Sequence, residues 1–162
     1  MRDATGSAWI FGICLIFIVL FTCYLAISLN YAKAFRVRNH IMDTIEEHEG
    51  YEPGLRQRLE EYLANEGYDA YGDCNPYISD QGEETDWALD ECIGDEAPQG
   101  KCSVCLYKKI ADNQKNAEIM APRTYYRVVT FFRFDLPAIR SIFPSFQVAG
   151  DSRYIFDFAT AY

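Results

Sequence analysis

The stretch "YLAISLNYAKAFRVRNHIMDTIEEHEG", residues 24–50, decides how the rest of the chain is read. An apolar run ends inside it at Leu29, yet no Gly or Pro occurs between Ile13 and Glu49, so nothing stops a helix there. Upstream, "AWIFGICLIFIVLFTCYLAISL" is a run of 22 residues without a charge, residues 8–29. As a helix it rises about 33 Å, enough to cross a hydrocarbon core. Lipid offers backbone amides no partner outside the segment, so helix is the state expected. The run is too long for the apolar part of a signal peptide, and the first A-x-A lies beyond it, at Ala32-Lys33-Ala34 among charges. An uncleaved span is the expectation.

Beyond Leu29 the residues Tyr31, Ala34, Phe35, Ile41, Met42 and Ile45 fall near one helical stripe, with Arg38 interrupting it. The spacing predicts that the same helix continues as an amphipathic stem over residues 30–49, with Gly50 as its terminator. From Ile13 to Glu49 that is about 55 Å of uninterrupted rod, half for lipid and half clad by a domain. Asp43, Glu46, Glu47 and Glu49 sit at the end of the helix dipole that disfavours anions, so a neighbour or solvent must answer them.

Residues 50–162 read as one α+β domain. In "YEPGLRQRLEEYLANEGY", Pro53 suits a first turn, Leu55, Leu59, Tyr62 and Leu63 form an apolar stripe, and Gly67 ends a second helix. Residues 69–101 are rich in Gly, Pro, Asn and acids and read as a cysteine-stapled loop. From residue 102 the texture turns to strands. "CSVCLYKKIA" and "TYYRVVTFFRFDL" are β-branched and aromatic, and "FQVAGDSRYIFDF" suggests two strands about a Gly150-Asp151 turn. In the second of these, Tyr126, Val128, Thr130, Phe132 and Phe134 share one face; Arg127, Val129, Phe131, Arg133 and Asp135 share another, which is expected to be partly wet. The fold class expected is α+β: a long N-terminal transmembrane and stem helix packed on a C-terminal antiparallel sheet, preceded by a short N-terminus of residues 1–7.

The net charge of −9 is unevenly placed, with −12 over residues 50–100 and +4 over residues 101–162. An acidic middle argues against nucleic acid as a partner, where a basic footprint is required. It also suggests docking on the basic final third, within one chain or between neighbours. Cys14 and Cys23 lie in the apolar run, whereas Cys74, Cys92, Cys102 and Cys105 lie in the loop-rich middle. Those four suggest two disulfides and an oxidising, extracytoplasmic compartment, with three pairings open. Only Cys102 and Cys105 have zinc-ribbon spacing, and they run into a strand rather than opening a helix, so neither zinc nor thiol redox chemistry is favoured. Asp69, Asp73, Asp80, Glu83, Glu84 and Asp86 do not follow the spacing of a calcium loop. His40 and His48 are eight residues apart on one helix, about 12 Å, too far to share a metal. No nucleophile elbow, phosphate loop or zinc-protease motif is present. Neither catalysis nor a cofactor is expected.

Three stretches carry a resemblance. They are the stem "LAISLNYAKAFRVRNHIMDTIEEHEGY", the following "PGLRQRLEEYLANEGY", and the ending "YYRVVTFFRFDLPAIRSIFPSFQVAGDSRYIFDF" with its Leu136-Pro137 and Phe143-Pro144 turns. Their layout resembles type IV pilin-like proteins, and more closely the TadE-like minor pilins of tight-adherence pili. Such subunits carry a Glu soon after their processing site; here Asp3 is the acid nearest the apolar run, and Gly6 lacks a basic leader. The resemblance implies a structural subunit, major or minor, whose partners are copies of itself or other pilin-like subunits, the membrane's pilus assembly machinery, and lipid before assembly. It implies that the apolar helix exchanges lipid for like helices in a surface filament. Gly12, Ala26 and Ser28 would permit close approach, and Lys33, Arg36 and Arg38 would meet a neighbour's acidic middle.

The rival reading is a single-pass, membrane-anchored extracytoplasmic binding or accessory domain that does not polymerise. A proline at Ala34 would be nearly harmless to a tether and severe for a filament stem. The flanking cations sit awkwardly with either reading: Lys33, Arg36 and Arg38 follow the span, and the positive-inside rule would turn that side to the cytoplasm, against the cysteines. The cysteines are given the greater weight.

Overall fold

The computed structural model describes residues 2–74, 87–94, 100–111, 123–133 and 145–156. Helix α1 (Arg2–Glu47) runs for 46 residues without a break, about 69 Å of rise. Over residues 9–29 it is apolar on every side. Fourteen large apolar side chains between Trp9 and Leu29 are each 44–75% exposed. From Ala34 onward one stripe turns inward, with Ala34, Val37, Ile41 and Ile45 fully buried and Met42 nearly so. The 3-4-4 spacing of the first four keeps them in one line along the helix. Two residues expected in that stripe, Tyr31 and Phe35, are exposed, and Val37 takes the inward place instead. Tyr31 and Phe35 lie on the flank, where the Tyr31 ring meets the edge of Phe132 at 5.7 Å and Phe132 stacks on Phe146 at 5.3 Å.

The end of α1 lies where expected, at Gly50, whose φ is 146°, and Glu49 before it takes the left-handed conformation with φ of 55°. The Gly50 N–H then reaches back to the Ile45 carbonyl at 3.0 Å, closing the helix end. One of the terminal acids has a partner: Glu46 accepts the Arg153 N–H at 2.9 Å. Helix α2 (Pro53–Asn65) buries Leu55, Leu59 and Leu63 and leaves by Gly67, whose φ of 57° suits glycine. Tyr62, the fourth residue of the expected stripe, is half-buried with its ring 3.9 Å from that of His40.

Five antiparallel strands form one sheet: β1 (Ala88–Ile93), β2 (Val104–Ala111), β3 (Arg123–Phe132), β4 (Phe146–Asp151) and β5 (Ile155–Phe156). The order is β1-β2-β3-β4, with β5 also paired to β3. Strand β1 lies inside the segment read as loop, so the sheet begins before residue 102. Its sequence "ALDECI" hides the strand because a bulge between Leu89 and Glu91 breaks the two-residue alternation. The Gly150-Asp151 pair is not a hairpin turn. Strands β4 and β5 run in the same direction, and Asp151 is still paired with Arg127. The interruption falls at Ser152, whose N–H donates to the Tyr126 carbonyl at 2.8 Å and whose Oγ accepts the Tyr126 N–H at 2.9 Å. Gly150 has a different purpose: a Cβ there would stand 2.9 Å from the Arg38 Cδ of α1.

Register assigns the faces. Glu91, Leu106, Val128 and Gly150 lie opposite one another on the face toward the helices, where α1 crosses β3 and β4 and α2 lies over β1. Cys92, Cys105, Val129 and Ala149 share the other face. That second face was expected to be partly wet. Arg127 at its edge is half-buried, but Val129, Phe131 and Cys105 are closed off from solvent because residues 68–74 fold over them. Strand β3 is therefore buried on both sides at its centre.

Candidate functional site

Two features stand out in a chain whose sequence carries no catalytic motif: the bare apolar half of α1, and the clamp that fixes the other half to the domain. The clamp is polar as well as apolar. Thr130 of β3 donates through Oγ1 to the Ala34 carbonyl at 3.2 Å, and Asn30 donates through Nδ2 to the Arg133 carbonyl at 3.1 Å. Arg38 donates through Nη1 to the Ala149 carbonyl at 2.8 Å while its guanidinium lies 4.2 Å over the Phe35 ring. Lys33 donates to the Gly67 carbonyl at 2.7 Å, a cation at the C-terminal end of α2 where the dipole favours it. Of the three cations expected to meet a neighbour, Lys33 and Arg38 thus serve their own domain. Arg36 points outward and is exposed. Of the three small residues, Gly12 has open space around it, and Ala26 and Ser28 are half-exposed.

The disulfides are Cys74–Cys105 and Cys92–Cys102, a nested pair. Cys92 and Cys105 face each other across β1 and β2, so the two bridges sit side by side, with the sulfurs of Cys74, Cys92 and Cys102 within 4.8 Å of one another. Zinc would take such a cluster only as thiolates, which bonded sulfurs are not. Cys14 and Cys23 are free. Of the carboxylates weighed for calcium, Asp80, Glu83, Glu84 and Asp86 lie outside the described residues, as do Phe134, Asp135 and the Leu136-Pro137 and Phe143-Pro144 turns.

Under the bridges, Tyr68 completes the sheet. Pairing between β2 and β3 starts at Val104 and Thr130, and one position further the Tyr68 hydroxyl accepts the Phe131 N–H at 2.9 Å and donates to the Phe131 carbonyl. Burial pushes its ionisation well above the usual tyrosine range, though the hydrogen bond to Phe131 opposes this. Gly72 pairs its backbone with Cys102 through two hydrogen bonds of 2.9 Å, and a Cβ on it would collide with the Phe131 ring. Val37, Tyr68 and Gly72 are structural residues that sequence reasoning missed. Val37 was visible as a position three from Ala34 and four from Ile41; Tyr68 and Gly72 follow no period.

The ion pairs that Arg56 makes lie within the acidic middle, while the contact of that middle with the basic final third is the pairing of acidic β1 with basic β2. Arg56 of α2 bridges Glu60 at 2.9 Å and Glu91 at 2.7 Å. Cations of the final third also lie over aromatic rings: Arg127 and Lys109 over Trp87, at 4.4 and 6.0 Å, and Arg123 over Tyr154 at 5.5 Å.

No family model, curated protein or solved structure matches the chain.

Proposed function

We propose that the chain is a pilin-like structural subunit of a type IV-related, tight-adherence-like surface filament. In this reading residues 8–29 hold it in the membrane before assembly, with the disulfide-bonded domain on the extracytoplasmic side. The observation that carries the reading is continuity: one helix supplies both the exposed apolar rod and the central element of the domain. Leaving the fourteen apolar side chains in water would cost on the order of 20–40 kcal/mol, so the rod needs lipid or other helices around it. A tether needs only a greasy segment. A subunit that transmits its position along a filament needs that segment stiff and joined to its domain without a hinge. Two of the three cations that would mark a cytoplasmic flank are explained by the clamp, which weakens the charge argument against an extracytoplasmic domain.

The partners in this reading are further copies or other pilin-like subunits, the assembly machinery, and lipid before extraction. The test is a hinge. Ala34 is a poor place for it, since its side chain is buried and its carbonyl is bonded to Thr130. Ala32 is exposed, and proline there breaks the helix between rod and domain at about 3 kcal/mol. Cells producing Ala32→Pro should keep the chain in the membrane fraction with both disulfides formed, yet show no filaments by electron microscopy of sheared surface material. Filaments as abundant as wild type, or none from the wild-type chain either, would leave an anchored binding domain as the better account.

A further inference from the structure

Four aromatic rings stand in a row where the rod enters the domain. Phe35 lies beside Tyr31 at 6.3 Å, Tyr31 against Phe132 at 5.7 Å, and Phe132 against Phe146 at 5.3 Å. Two rings come from α1 and two from the sheet, yet the row is open to solvent: Tyr31, Phe35 and Phe146 are 48, 40 and 37% exposed, and Phe132 is half-buried. We propose that this ledge docks the domain on the interfacial layer of the bilayer, so that span and ledge together fix its orientation; the inference rests on the membrane-anchored part of the reading above.

Depth points to lipid as the occupant. The apolar run ends at Leu29, and Tyr31 and Phe35 follow it by two and six residues, about 3 and 9 Å of helix rise. With residues 8–29 in hydrocarbon, that interval crosses the headgroup layer, which is about 5–8 Å thick on each side. The sheet reaches the same level by its own register. Strand β3 descends alongside α1, since Tyr126 lies near Gly50, Thr130 bonds Ala34, and Asn30 bonds the Arg133 carbonyl. Phe132 therefore stands at the membrane-proximal end of β3, with Phe146 opposite it on β4.

Residue type points the same way. Helices that pack on one another in lipid use small side chains at the contact, whereas aromatic rings gather at the boundary of lipid and water. The ledge is made of rings alone, and exposed Tyr24 extends the aromatic character down the rod toward the hydrocarbon. The rings are also set before lipid arrives. Arg38, bonded to the Ala149 carbonyl, lies 4.2 Å over Phe35, and Phe132 and Phe146 are paired residues of neighbouring strands.

The experiment uses the full chain in vesicles of phosphatidylcholine brominated on the first carbons of its acyl chains, with plain phosphatidylcholine as reference. Bromine quenches tryptophan emission on contact. Phe146→Trp places a probe on the ledge. Tyr154→Trp places one beside Arg123, nine residues from Phe132 and about 30 Å away along the strand. Emission of the wild-type chain is subtracted to remove Trp9 and Trp87. The expected result is loss of emission from the Phe146→Trp probe in brominated vesicles and none from the Tyr154→Trp probe. Tyr31→Ser together with Phe35→Ser, both at exposed positions, should relieve that loss. Equal emission from the two probes would overturn the docking. So would quenching that the serine pair leaves unchanged, since the anchor alone would then bring the domain down. Quenching that disappears as more chain is added per vesicle would assign the ledge to a second copy and overturn it too. Flotation with plain vesicles separates the two readings: chains that float without quenching remove the docking alone, whereas chains that do not float remove the anchor and the docking with it.

Discussion

Removing the two disulfides one at a time should cost unequal amounts, in an order set by loop length. Cys74–Cys105 closes a separation of 31 residues and Cys92–Cys102 one of 10. A cross-link acts mainly by restricting the unfolded chain, and for loops of those lengths the expected losses are ~3.7 and ~2.7 kcal/mol. The outer bridge also pins residues 68–74 over Phe131, so its loss frees the covering segment as well as the chain. The variants are Cys74→Ala with Cys105→Ala, and Cys92→Ala with Cys102→Ala. Each would be unfolded by guanidinium while Trp87 fluorescence is followed, a probe suited to the task because that ring lies 4.4 Å beneath Arg127 in the folded sheet. Cys105 is fully buried, so its alanine variant also leaves a small void. Reducing the wild-type chain with a phosphine separates the two effects, since it removes the bonds and leaves the sulfur volume in place. An inner bridge that matches or exceeds the outer in worth would refute the unfolded-chain reasoning. A domain equally stable when fully reduced would remove the case for an oxidising compartment altogether.

Other predictions concern single side chains. Burial, followed by the neighbouring charge of Glu91, pushes the Tyr51 phenol up to about 12, and its hydroxyl is buried without a hydrogen-bond partner. Above an ordinary tyrosine value of about 10 the unfolded chain loses this proton while the folded one keeps it, so stability should fall between about pH 10 and 12. Tyr51→Phe should flatten that limb in pH-dependent denaturation without lowering stability at neutral pH; an unchanged limb would assign it elsewhere. Gly72→Ala should destabilise the domain by about 1–3 kcal/mol or more, because the added methyl meets the Phe131 ring. Gly12→Ala, with open space around it, serves as the neutral control in the same melting series. Reversing the charge at Arg36 should impair filament assembly without changing the melting temperature, whereas Arg38→Glu should lower that temperature because it breaks the bond to Ala149. Normal filaments from the Arg36 variant would show that this cation has no role between subunits.

What the sequence disclosed was whatever had only one physical solution. A charge-free run of the length of residues 8–29 is long and apolar enough to cross a membrane as a helix, and no Gly or Pro beyond it interrupts that helix before Gly50. Helix α2 announced itself through Pro53, three leucines and Gly67, and β3 through its β-branched and aromatic residues. The misses share a cause: each depended on a residue distant in sequence. Gly150 looked like a turn because glycine usually marks one, but the space it leaves belongs to Arg38, over a hundred positions earlier. Strand β1 was invisible because its bulge destroys the alternation and its acids suggest a loop. The disulfide pairing could not be read either, since Cys92 and Cys105 face each other directly and yet bond to other partners. The hidden face of β3 looked half-wet because its cover, Tyr68 to Cys74, carries no pattern of its own.

The direction of the clamp has a mechanical consequence. Asn30 meets Arg133, Ala34 meets Thr130, and Gly50 lies near Tyr126, so the interface is laid out lengthwise along the helix rather than at its tip. A pull on the rod along its axis therefore loads these attachments together, in shear. They do not open one after another as a zip does, and tension drawn through the shaft reaches the sheet without first finding a weak corner.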